Sequence, residues 1–179
     1  LDGSDISNEE FGAFYRGYVD KSRGENLFVR LDDGRVAVET HMSQLNEKQA
    51  EFSYEPGKWT IKEVLGHMTD TERILSFRAL SFARGESQKL AGFDQDDYVK
   101  KANFNDQPLR DLLSQYQTVR KATYQLFDSF SPDMLLNQGM ASGSPFTVRA
   151  LGFIIAGHEL HHLDILKSMY LPALPSGSS

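Results

Sequence analysis

An all-α fold, a four-helix bundle, is predicted for this 179-residue chain by three observations. Four long segments carry apolar residues at alternating steps of three and four, the spacing that lines one face of a helix. Two of these segments open on helix-capping residues. No set of strand-like segments is available to build a sheet, so helix must pack on helix. At 40% hydrophobic and 11% aromatic residues the chain can bury a core, which excludes global disorder. Its length suits one domain, 1–179.

A short helix from Asn8 to about Lys21 is expected first. The stretch 27–38, Leu27 to Val38, reads in two ways. It forms a hairpin about Asp33-Gly34, or a helix with Leu27, Leu31, Gly34, Val38, Met42, Leu45 and Phe52 on one stripe. The helix carries an interior glycine at a cost of roughly 1 kcal/mol. It is nevertheless preferred, because a lone hairpin is marginally stable and no other strand can pair with it.

The next segment begins at Ile61, where Thr60 and Glu63 form a capping box and Trp59 can staple onto Val64. Its seam runs Ile61, Leu65, Met68, Leu75, Ala79 and Phe82, with Glu72 in the slot between Met68 and Leu75. From Gly85 to Gln107 the connection is long for a helical hairpin. It leaves room for a crossover that makes the second and third long helices parallel, with Phe93 to Tyr98 forming a turn of helix over one end. The third long helix, Pro108 to Phe130, is lined by Leu109, Leu112, Leu113, Tyr116, Val119, Thr123, Leu126, Phe127 and Phe130. The fourth opens at Thr147 and reads Leu151, Ile155, His158, His162, Ile165 and Met169.

Nineteen Lys and Arg against twenty-five Asp and Glu give a net charge of −6, with no basic run beyond Lys100-Lys101. Nucleic acid is therefore not an expected partner. The uncharged runs fall far short of the ~18 residues of a membrane span, so no membrane partner is expected either. The opening Leu1-Asp2-Gly3-Ser4 resembles no signal peptide, and a cytoplasmic location is expected. The chain has no cysteine. Any thiolate chemistry would have to come from a partner molecule.

Five histidines concentrate the chemistry: His41, His67, His158, His161 and His162. His158 and His162 stand one turn apart on the inward seam, with Cβ atoms about 6 Å apart, close enough for two imidazoles to share a metal. Unpaired there, each would be a desolvated polar group. His161 is rotated off the seam by about 100°, and His41 has polar neighbours typical of a solvated face. His67 is the remaining histidine in a strongly helical segment, so it is the expected third ligand.

His158-Glu159-Leu160-His161-His162 also fits the H-E-x-x-H pattern of zinc proteases, with Glu159 as general base. Only seventeen residues follow His162, however, and Asp164 is the sole acidic one among them. That reading is set aside.

Taken in order, Pro56 to His67, Asp70-Thr71-Glu72-Arg73, Phe93 to Tyr98 and Gly157 to His162 resemble the DinB/YfiT-like superfamily. The resemblance extends from about residue 6 to 171. It implies an up-down-down-up four-helix bundle and a divalent metal on three histidines, which fall here on His67, His158 and His162. Zinc or nickel is expected, and iron is also compatible with imidazole.

Characterised relatives of that superfamily include transferases that use bacillithiol or mycothiol and a thiol-dependent isomerase; others are described as metal-dependent hydrolases. The expected partners are thus a low-molecular-weight thiol and a small-molecule electrophile, and a homodimer is left open. A metal-dependent hydrolase and a non-catalytic metal-binding stress-response module are the alternatives, because fold alone does not fix a reaction. The candidate catalytic residues are Glu72, Tyr98 and Glu159. Glu72 could serve as a base, as an acceptor for a ligand's imidazole N–H, or as a buried partner of Arg78 or another cation.

Overall fold

The computed structural model describes residues 1–175. A 3₁₀ turn, Ala13–Tyr15, leads into α1 (Arg16–Ser22), followed by α2 (Leu27–Met42), α3 (Glu47–Ala50), α4 (Ile61–Ala83), α5 (Gln95–Ala102), α6 (Leu109–Asp128) and α7 (Pro132–Leu136). A hairpin of β1 (Gln138–Ala141) and β2 (Ser144–Thr147) then precedes α8 (Val148–Ile165). The capping residues act as their chemistry dictates. The Thr60 hydroxyl accepts from the Glu63 N–H while the Glu63 carboxylate accepts from the Thr60 N–H, and the Thr147 hydroxyl accepts from the Ala150 N–H.

The bundle consists of α2, α4, α6 and α8, with α2 and α4 each packed against both α6 and α8. Side-chain pairs give the directions. Arg73 meets Gln115 and Ser76 meets Thr123, so α4 and α6 run parallel. Phe28 meets Tyr124 and the Leu31 carbonyl meets Arg120, so α2 and α6 run antiparallel. His67 lies by His158 while Leu75 lies by Ile155, making α4 and α8 antiparallel too. The topology is up-down-down-up, and the segment between α4 and α6, which contains α5, must travel back along the bundle.

Two apolar clusters divide the core. One gathers Leu27, Leu75, Phe82, Phe146 and Leu151; the other gathers Val38, Ile61, Leu65, Leu112 and Leu166. A layer of buried polar side chains lies at mid-height, among them His67, Glu72, Arg120, His158, Glu159 and His162.

Four details depart from the sequence reading or resolve it. The stretch 27–38 is helical, and the interior Gly34 is required because a Cβ there would collide with Glu159 Oε1. The first helix starts at Arg16 rather than Asn8. Upstream, the hairpin engages the backbone: the Glu10 carbonyl accepts from Thr147 N–H at 2.9 Å, and the Glu10 carboxylate pairs with Arg149 at 2.6 Å.

The hairpin itself was not expected. Its turn residues Ser142 and Gly143 both have positive φ, the geometry a two-residue antiparallel connection needs. Finally, Leu166–Tyr170 forms a π turn after α8. The register shift buries Leu166 and Tyr170 and leaves Met169, expected on the seam, exposed.

Candidate metal centre

Two helices supply three imidazoles to one point. His67 stands on the second turn of α4, and His158 and His162 occupy successive turns of α8; all three are buried. His158 Nε2 lies 3.0 Å from His67 Nε2 and 3.1 Å from His162 Nε2, and one nitrogen from each ring falls within 4.8 Å of the others. A tetrahedral ion with metal–nitrogen bonds of about 2.0–2.1 Å separates its ligand atoms by roughly 3.3 Å. The donor set therefore fits a divalent cation in number, kind and spacing.

The electrostatics agree. Burial pulls His67 down to about 4 and, with the charges of His67 and His161 adding to it, His162 to about 3. Burial and the neighbouring histidines hold His158 well below the ordinary imidazole value. All three rings are neutral at pH 7, the state a metal ligand requires. Thr71 Oγ1 lies 3.5 Å from His67 Nδ1, placed to accept its N–H and leave Nε2 with its lone pair toward the cluster. Trp59 packs on the His67 ring at 4.7 Å and Tyr18 on the His158 ring at 5.4 Å, fixing the ring planes.

Two cavities flank the cluster. One, of about 270 Å³, is lined by His67 and His158 and walled by aromatic side chains, including Tyr18 and Phe93. The other, of about 290 Å³, touches His162 beside Trp59 and Tyr170.

The remaining sequence candidates lie elsewhere. Glu159 faces away from the cluster into the bundle, where its carboxylate accepts from Arg120 at 2.9 and 2.7 Å and from the Tyr116 hydroxyl. Glu72 accepts from the same guanidinium at 2.9 and 2.7 Å, so its buried partner is Arg120 and not Arg78. Neither carboxylate is free to serve as a base. Tyr98 is exposed and packs on Phe93 at 5.2 Å; it is Phe93 that lines the cavity.

His161 lies outside the three-nitrogen cluster, half-buried against Tyr18, and His41, in the last turn of α2, is outside it too. Sequence reasoning missed Arg120. Its position four residues after Tyr116 on the α6 seam was the available signal, but a charged residue there reads as surface.

Comparison with known proteins gives a consistent picture. The sequence profile of the DinB superfamily matches residues 30–166. A protein of Oceanobacillus iheyensis, provisionally named a metal-dependent hydrolase, is 28% identical over 141 residues, covering 78% of this chain and 81% of that protein. The fold is similar to that of YfiT from Bacillus subtilis, described as a probable metal-dependent hydrolase with an unusual four-helix bundle topology. The TM-score is 0.70 at 15% identity, over 92% of this chain and 88% of that one.

Proposed function

The chain belongs to the DinB superfamily, and we propose that within it the protein is a metal-dependent enzyme whose divalent ion is held by His67, His158 and His162. The observation that carries this reading is the convergence of three buried, neutral imidazoles beside a cavity of about 270 Å³. Three protein ligands are the number found in catalytic rather than structural sites. Imidazole donors suit zinc or nickel, and also iron. When bound, such an ion supplies Lewis acidity that makes a thiol or a water a nucleophile at neutral pH.

The chain's own residues define the rest. Thr71 and the Trp59 and Tyr18 rings hold the imidazoles in orientation, and the aromatic walls limit the water that reaches the reacting atoms. Glu72 and Glu159 are committed to Arg120, so no carboxylate of this polar layer is available to deprotonate a nucleophile. Without a protein base the more acidic nucleophile is favoured, and a free thiol ionises at about 8.5 against about 15.7 for bulk water. We therefore assign transfer of an external low-molecular-weight thiol to a small electrophile, with the thiol imported because the chain has no cysteine. Hydrolysis is the second reading, favoured by the name of the O. iheyensis relative.

The test combines elemental analysis of the purified protein with a thiol screen against a chromogenic electrophile. Turnover that requires both metal and thiol and is lost in His158→Ala supports transfer, as does a sulfur-to-metal charge-transfer band in the cobalt-substituted protein. Thiol-independent cleavage of an ester or amide selects hydrolysis. Absence of bound metal overturns both.

A further inference from the structure

Arg78 is 2% exposed, yet it has no ion-pair partner among the described residues. Its Nη2 donates to the Ala91 carbonyl at 3.0 Å and to Ser142 Oγ at 2.8 Å, while its Nη1 has no hydrogen-bond partner. The contrast with the rest of the molecule is sharp: Arg120 is paired with Glu72 and Glu159, and Arg149 with Glu10. A buried guanidinium without a counter-charge is costly, and structures keep such groups paired. Among the described residues no carboxylate lies within ion-pair distance of it.

Arg78 lines the same cavity as His67 and His158. His67, Thr71, Leu75 and Arg78 follow one another at steps of four, four and three along a single face of α4. At about 1.5 Å of rise per residue, the Cα atoms of His67 and Arg78 stand roughly 16 Å apart. The cavity thus has a histidine end and a cationic end, with apolar wall between. Phe14, 78% exposed, and Phe93 add aromatic surface to that wall.

We infer that this cavity receives a small monoanionic carboxylate with an apolar or aromatic body, its carboxylate on Arg78 and its reactive group toward the three histidines. The inference rests on the proposed function and deepens it by naming the class of molecule the site accepts. The guanidinium's unused N–H groups suit one carboxylate, whereas a phosphate dianion carries a second charge that no other Lys or Arg lining the cavity would meet. Phe93 lies over the guanidinium, 6.0 Å from ring centroid to Cζ, and shields it. It is carried by residues 91–94, which belong to no helix or strand, so its ring can swing aside to admit the ligand without breaking an element.

Benzoate and its neutral isostere benzamide serve as probes, titrated calorimetrically into metal-loaded and chelator-stripped protein. Wild type is expected to bind benzoate about tenfold or more tighter than benzamide. Arg78→Met, which keeps the apolar stem, is expected to bind the two alike with benzamide affinity unchanged. A preference that persists without metal and disappears in Arg78→Met supports the inference whether or not the metal reading holds.

A preference that needs metal and survives Arg78→Met places the anion at the histidines; it overturns the role of Arg78 while sparing the metal. If Arg78→Met fails to fold, the wild type decides alone through the Arg78 Nε–H resonance. A shift of that signal with benzoate but not benzamide supports the inference. Equal binding of the two probes, or no binding of benzoate, overturns it.

Discussion

Gly34 faces the carboxylate of Glu159 so closely that a methyl group on position 34 would occupy the place of Oε1. This explains a glycine in the middle of a sixteen-residue helix. Gly34→Ala improves helix propensity by about 1 kcal/mol. It also forces Glu159 off Arg120 and Tyr116, and disrupting a buried pair costs roughly 3–5 kcal/mol. The second effect is larger. A net loss of about 2 kcal/mol or more is expected in urea unfolding, and a neutral or stabilised variant would show that Glu159 relocates freely.

Arg120 binds two buried carboxylates and the Leu31 carbonyl. Arg120→Met leaves both carboxylates without their cation, and a loss of about 3–5 kcal/mol is expected. The variant should regain stability as pH falls, because burial already raises the Glu159 carboxyl against the opposing charge of Arg120, and without that charge the folded chain takes up this proton before the unfolded one does. A variant with no such recovery would mean that the carboxylates find other partners.

Metal content should fall sharply in His67→Ala, His158→Ala and His162→Ala and persist in His41→Ala and His161→Ala. An ion held by these histidines would join α4 to α8, so a chelator should lower the midpoint of thermal unfolding. A ligand at a hundredfold its Kd contributes about 2.7 kcal/mol to the folded state. Full metal in His67→Ala, or an unchanged melting curve after verified metal removal, contradicts the assignment.

Without metal, the three histidines make stability depend on pH in a definite direction. Burial holds His67 near 4 and His162 near 3 when folded, whereas an unfolded histidine titrates near 6.5. The unfolded chain therefore binds more protons in between. Stability is fully present above about pH 6.5 and is lost as pH falls toward 4. Chelator-treated wild type should show this slope in its melting temperature, and His67→Ala a shallower one; equal slopes would place the titration elsewhere.

The parts of this molecule legible in the sequence are those set by periodicity and caps. Thr60 with Glu63, and Thr147, mark helix starts because their side chains satisfy N–H groups that no other helix atom reaches. His158 and His162 stood out because they fill positions on a seam where apolar residues are expected. The alternative roles of Glu72 could not be separated, because its cation, Arg120, lies 48 residues away on another helix.

Arg78 and Arg120 are both arginines in long helices, and nothing local distinguishes the paired one from the unpaired one. The hairpin was hidden because each strand has four residues, one of them contains Pro145, and neither shows clean alternation. The π turn escaped because it changes the period within an otherwise regular seam.

The parallel course of α4 and α6 makes their connection a working part of the molecule. An up-down-up-down bundle joins its neighbours with tight loops that stay at the ends and never approach the middle. Here the chain must return the length of α4 before α6 can begin, and on the way it lays Phe93 and Gln95 against the cavity. The histidines stand on helices whose packing tolerates little change, whereas this part of the opposite wall belongs to a connection that contributes few residues to the core. Chemistry and selectivity are therefore separable: grafting a different return segment between α4 and α6 should exchange the molecules admitted while leaving the three imidazoles in place.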